Sequence, residues 1–180
     1  MILTKKQLNE YLQIEKPFYI KSKKELLFSF FSISESGILW KYQKRLRVWE
    51  YHQNAGHRIR CAIWKFRTIR IGRKYNISIS PNCFGKGMHI MHLGSILVNS
   101  ETRVGDYCLL NINVAFVSTS GKNGAPKLGS HCKIGIGATL IGDICLQNNI
   151  VVGAGAVVTK SFLESNITLV GVPAYIINKQ

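Results

Sequence analysis

Acidic residues are scarce in this 180-residue chain: nine aspartates and glutamates face 24 lysines and arginines, a formal charge of +15. Long apolar runs are missing as well. A membrane-spanning helix needs ~20 such residues in a row. The most apolar early stretch, Leu26-Leu27-Phe28-Ser29-Phe30-Phe31, is far shorter and follows Lys23, Lys24 and Glu25. Met1 to Lys6 lacks the order of charge, apolar core and small residues that marks a secretory signal, so the expected location is the cytoplasm. The five cysteines, at 61, 83, 108, 132 and 145, are odd in number and form no Cys-x-x-Cys pair, which argues against a disulfide framework and against structural zinc. Hydrophobic residues make up 46% of the chain and charged ones 18%, a folded rather than a disordered composition.

The positive charge is uneven, with +12 of the +15 on residues 1–75. Such a field favours an anionic partner: nucleic acid, a membrane surface or a phosphorylated cofactor. Arginines interleaved with aromatics are the composition that stacks and neutralises single strands. At helical spacing, though, aromatics read as packing residues, so no nucleic-acid partner is expected. Peripheral contact with the inner face of a membrane through the basic region stays open.

The first 72 residues read as helices. Thr4-Lys5-Lys6-Gln7 and Ser22-Lys23-Lys24-Glu25 fit the capping box, with Pro17 between the helices they start. A third helix over about 37–54 puts Leu39, Tyr42, Leu46 and Trp49 on one apolar face, and Gly56 is its stop. A fourth, over about 57–71, puts Ile59, Ile63, Phe66 and Ile69 on one side and most of its cations elsewhere.

After Gly72 a period of six appears. Leu128, Ile134, Leu140, Leu146, Val152 and Val158 follow at every sixth place, and Cys132, Ala138, Ile144, Ile150 and Ala156 fill a second register four residues on. Phe84, Ile90 and Ile96 keep the step upstream, and Val104, Cys108 and Leu110 resume it after a slip of two. A 3.6-residue helix cannot hold this repeat on one face. Short strands with a turn in every hexad can, three to a coil, making a triangular prism with the aliphatics inside. Gly135, Gly137, Gly142, Gly153 and Gly155 are the expected turn residues, and Cys108 and Cys132 are core fillers.

The repeat Ile134-Gly135-Ile136-Gly137-Ala138, the run 152–158, the ending Gly171-Val172-Pro173-Ala174 and above all the stretch 84–95 around His92 resemble the hexapeptide-repeat acyltransferases. The resemblance is to the serine acetyltransferase-like group, and among them to short members of capsule and exopolysaccharide clusters. It implies a mainly β fold, a left-handed parallel β-helix over 73–175, preceded by the α-helical region 1–72 and followed by a tail, 176–180. It also implies acetyl-CoA as co-substrate, no metal, and a homotrimer or dimer of trimers with sites between neighbouring prisms.

By position, His92 matches the catalytic base of that group. An imidazole suits the role, since it can take a proton from an attacking hydroxyl at neutral pH and return it to the departing thiolate. Lying two residues after inward-facing Ile90, His92 should project outward. The resemblance further implies that the segment 116–127 covers the cofactor arm. Ser118, Lys122 and Lys127 are the candidates there for the oxyanion and the CoA phosphates. Gly137, Ala138, Gly155 and Ala156 match small positions along the pantetheine chain. His89 makes a His-x-x-His spacing with His92, but no third metal ligand is evident. His131 is assigned to a turn.

Three departures bear on the acceptor. Met91, Ser78 and Ala125 stand where serine acetyltransferases carry two aspartates and a histidine. These groups bind the amino acid or tune the base, so a sugar hydroxyl of a polysaccharide precursor is favoured as acceptor over free serine. A non-catalytic β-helix scaffold and covalent catalysis by Cys83 are the readings from other classes.

Overall fold

The structure is a computed structural model describing residues 1–31, 34–119 and 124–179, the side chains of residues 28, 30 and 179 excepted. Four helices come first: α1 (Lys5–Glu15), α2 (Lys23–Phe31), α3 (Glu35–Asn54) and α4 (Arg58–Tyr75). The box at Thr4 forms, with Thr4 Oγ1 accepting from Gln7 N–H and the Gln7 side chain accepting from Thr4 N–H. At α2 only half of it does. Ser22 Oγ accepts from Glu25 N–H, while the Glu25 carboxylate accepts from Lys21 N–H instead of Ser22. Pro17 lies in a single 3₁₀ turn between α1 and α2.

Leu39, Tyr42, Leu46 and Trp49 form the buried face of α3, as their spacing requires. On α4 the expected apolar face points the other way. Ile59, Ile63 and Phe66 are 79%, 49% and 66% exposed, and the buried residues are Thr68 and Gly72. The small residues set this orientation. A Cβ on Gly72 would lie 2.4 Å from the carbonyl oxygen of Ile77, so only glycine lets the helix approach the first strand so closely. Gly72 therefore sits inside α4. The helix continues to Tyr75 and stops at Asn76, whose φ of 58° closes it with an N–H bond to the Gly72 carbonyl.

The strands follow in chain order. They are β1 (Ile77–Ser78), β2 (His89–Ile90), β3 (Ile96–Val98), β4 (Arg103–Val104), β5 (Leu109–Leu110), β6 (Val114–Val117) and β7 (Lys127–Leu128). Then come β8 (Lys133–Ile134), β9 (Thr139–Ile141), β10 (Cys145–Leu146), β11 (Val151–Val152), β12 (Val157–Val158), β13 (Ile167–Val170) and β14 (Tyr175–Lys179). They make three faces of a left-handed prism, ordered β1-β3-β6-β9-β12, β4-β7-β10 and β2-β5-β8-β11-β13-β14. Every pairing is parallel except β13 with β14, which doubles back over Tyr175–Lys179 and makes a strand of the expected tail.

Both six-residue registers point inward. Ile90, Leu110, Ile134, Leu140, Val152 and Val158 have no exposed surface, and Cys132, Ala138, Ile150 and Ala156 match them. Each large aliphatic so buried contributes roughly 1.5–3 kcal/mol, and the column is continuous through the prism. Corners are turned by residues at positive φ, and side chains share this work with glycine: Asn113, His131 and Asn149 recur beside Gly137 and Gly155. Gly135 and Gly153, expected as turn formers, have no positive φ. A Cβ on Gly135 would meet the backbone of the next coil at 2.7 Å, so close packing of coils is what excludes a side chain there.

Two polar contacts bolt the helices to the first coils. The buried Arg47 guanidinium pairs with Glu15 (2.7 Å) and Glu50 (3.1 Å) and donates to the carbonyls of Phe84 (2.9 Å) and Gly85 (2.6 Å). Burial pushes the Tyr19 phenol well above its usual range and keeps it protonated. Its oxygen accepts from Ile90 N–H (2.8 Å), and its hydroxyl donates to Gln43, whose amide donates to the Met88 carbonyl.

Candidate functional site

His92 lies in the turn between β2 and β3, where the prism passes from one face to the next. With Ile90 fully buried, the chain turns outward and the imidazole is 54% exposed. What faces it comes from the helical region. Glu35, the first residue of α3, places Oε2 3.5 Å from His92 Nδ1, and its Oε1 accepts from Leu93 N–H at 2.6 Å. The carboxylate thus holds the turn by its backbone and the ring by its Nδ1. That distance exceeds a strong hydrogen bond. With Nδ1 facing the carboxylate, Nε2 is the nitrogen left for chemistry.

Nothing in the sequence flags Glu35 as part of the site. It follows the N-cap Ser34, whose Oγ accepts from Gly37 N–H, so it reads as an ordinary first-turn acid favoured by the helix dipole. Glu35 is 58 residues from Leu93 along the chain, and only the docking of α3 brings them together.

His89 goes elsewhere. Its ring stacks on Phe18 (4.7 Å between centroids) and meets Tyr19 edge-on, and burial together with the cation of Lys21 lowers its pKa. Among the described residues no group of three or more histidines, cysteines and acids could hold a metal. His131 takes φ 61° at a corner and stacks on Tyr107. Cys83 is buried, and its thiol is pushed up to about 11, chiefly by desolvation, which leaves it protonated and shielded at neutral pH.

The other expected residues separate into three places. Gly137 and Gly155 stack one coil apart on the corner that also carries His92. Gly155 N–H donates to the Ile136 carbonyl and Gly137 N–H to that of Ile112, the residue that Gly94 of the His92 turn packs against. This corner column is open: Ile136 is 49% exposed, and Gly155 and Ala154 are exposed. Ala138 and Ala156 are wholly buried, with their methyls inside the prism, so they support the corner from within and offer no surface to a cofactor. Ser118 follows β6 and accepts from the Asn99 amide at 3.1 Å. Lys127 stands on the β4-β7-β10 face, paired with Asp143 at 3.1 Å. Lys122 lies outside the described residues. A cavity of about 910 Å³ opens between α4 and the first coil. Lys65, Arg73 and Arg103 line it, and His92 does not.

The chain resembles serine acetyltransferases. It is 33% identical over 104 residues to that of Synechococcus elongatus, a match covering 56% of this chain and 42% of the relative. The fold superposes on a serine acetyltransferase of Brucella abortus in complex with coenzyme A (TM-score 0.75, 20% identity, 97% of this chain and 69% of that one). It also superposes on that of Neisseria gonorrhoeae in complex with serine (TM-score 0.71, 20% identity, 94% and 69%). No family model matches the chain. The chain spans about half the length of the curated relatives it matches.

Proposed function

We propose that this protein transfers an acetyl group from acetyl-CoA to a hydroxyl, with His92 as general base and Glu35 as the carboxylate that positions it. The observation that carries this reading is the exposed His92 ring with Glu35 at Nδ1 and Nε2 free. In the step it implies, Nε2 takes the hydroxyl proton as the oxygen attacks the thioester carbonyl. The carbonyl π electrons move to oxygen and return as the C–S bond breaks. The proton on Nε2 then passes to the CoA thiolate. A base so placed is worth about 10²–10⁴ in rate. The open corner of Ile136, Gly137, Ala154 and Gly155 is the surface on which the pantetheine arm would lie, and a neighbouring prism in a trimer would close the groove. Ser118 and Lys122 are proposed to reach the cofactor from the segment 116–127. Lys127 would reach a CoA phosphate only by giving up Asp143.

The acceptor is proposed to be a sugar hydroxyl, as in a capsular or exopolysaccharide precursor. Met91 and Ser78 supply no carboxylate for an ammonium group, Ala125 is buried, and Glu35 is engaged by the imidazole and by Leu93 N–H. Free L-serine is the second reading, favoured by the names of the relatives and by the neighbour that holds serine. The test is CoA release from acetyl-CoA by wild type and His92→Ala, with L-serine and with a panel of UDP-sugars and oligosaccharides. Sugar-dependent release lost in the variant supports the reading. Serine-dependent release replaces the acceptor, and turnover that survives in His92→Ala removes the mechanism.

A further inference from the structure

We infer that α4 is a membrane-surface helix, which seats the protein on an anionic lipid headgroup layer. Its 18 residues carry seven cations, Arg58, Arg60, Lys65, Arg67, Arg70, Arg73 and Lys74, and no acid, and all seven are exposed. Between them runs an outward apolar stripe, Ile59, Ile63 and Phe66, at spacings of four and three residues. The opposite side of the helix is the one that packs, through Thr68 and Gly72. An apolar stripe flanked by lysine and arginine is the arrangement that lies in the plane of an interface, ring and aliphatic groups among the acyl chains and cations among the phosphates. No described helix is long and apolar enough to cross a membrane, so the contact is with a surface.

Charge decides between occupants of this face. A second copy of α4 placed against the first would bring two sets of seven cations together with no carboxylate on either helix. A nucleic acid would satisfy the cations and leave Ile59 and Ile63, which have no π face, exposed. An anionic lipid layer satisfies both.

The test is co-sedimentation of the full chain with vesicles of phosphatidylcholine, with and without phosphatidylglycerol. The expected result is partition onto the phosphatidylglycerol vesicles only. It should weaken more than tenfold in Ile63→Ser/Phe66→Ser and by roughly fivefold for each cation removed in Arg70→Gln/Arg73→Gln. Leu163→Ser, at another exposed apolar position, should change nothing. These residues are exposed, so thermal midpoints should match wild type. Failure to bind the anionic vesicles overturns the inference, as does full partition by the serine double variant or equal weakening by Leu163→Ser. A lower molar mass of the serine double variant in lipid-free light scattering would assign the face to a second copy. An oligonucleotide that binds that variant as well as wild type and displaces the wild type from vesicles would assign the face to nucleic acid.

Discussion

Glu35 and His92 meet across the junction of the two regions, with Oε2 3.5 Å from Nδ1. In the proposed mechanism the base is carried by the prism and aimed by the helices. Glu35→Gln keeps an oxygen for Leu93 N–H but removes the negative charge facing Nδ1. The expected outcome is a fall in kcat of about 10–100-fold, with KM for acetyl-CoA and the thermal midpoint unchanged. Glu35→Asp should recover part of the rate if its shorter reach still meets the ring. Steady-state kinetics on the three proteins checks this, and an unchanged kcat in Glu35→Gln would leave the carboxylate a purely structural cap.

Arg47 supplies the stability that this aim depends on. It is buried with two carboxylates and two backbone carbonyls on its guanidinium. Removing one partner leaves the rest of a buried charge uncompensated, a loss of about 3–5 kcal/mol. Glu15→Gln should lower the urea midpoint accordingly. Arg47→Met should cost at least as much as Glu15→Gln, because it leaves both Glu15 and Glu50 buried without their counter-charge. Equilibrium unfolding of the variants measures both.

The prism was legible in the sequence because its physics is periodic. An aliphatic at every sixth place faces the interior of any such coil, and Leu128 through Val158 do so without exception. The orientation of α4 was not legible. Ile59, Ile63 and Phe66 form an apolar stripe as good as the one on α3, and periodicity cannot say whether protein or another phase will meet it. The decision lies in Gly72 and Thr68, small residues whose value is close approach rather than hydrophobicity. Likewise His92 is a candidate from its local motif, whereas Glu35 is not, since its contact with His92 exists only once α3 is docked. The small alanines carry a related ambiguity: smallness marks tight packing inside a corner as readily as a bed for a ligand outside it, and Ala138 and Ala156 are buried.

Cys83 tests the competing chemistry. Buried, and with its thiol raised to about 11, it is a poor nucleophile at neutral pH. Cys83→Ala should keep at least half the wild-type rate and lose about 1–2 kcal/mol of stability through the cavity left behind. Activity assays and thermal melts on one preparation separate the two effects. A rate loss far beyond any change in folded fraction would return the cysteine to the mechanism.

His89 gives the fold an acid-sensitive element beside the site. Burial first, and the Lys21 cation second, hold its pKa below the ordinary value of about 6.5. The unfolded chain then binds more protons than the folded one through this window, so stability rises with pH there. The contribution is complete above ~6.5 and is lost as pH falls through the lowered folded value. His52, lowered by burial and by His57 and Arg60, acts in the same direction. Thermal midpoints should therefore fall on acidification from pH ~7 to ~5.5. His89→Phe, which preserves the stack on Phe18, should reduce that slope without abolishing it, because His52 remains. A slope unchanged in His89→Phe would mean that the ring takes up its proton at the same pH in the folded and unfolded chain, and that burial against Phe18 and Tyr19 does not hold it neutral.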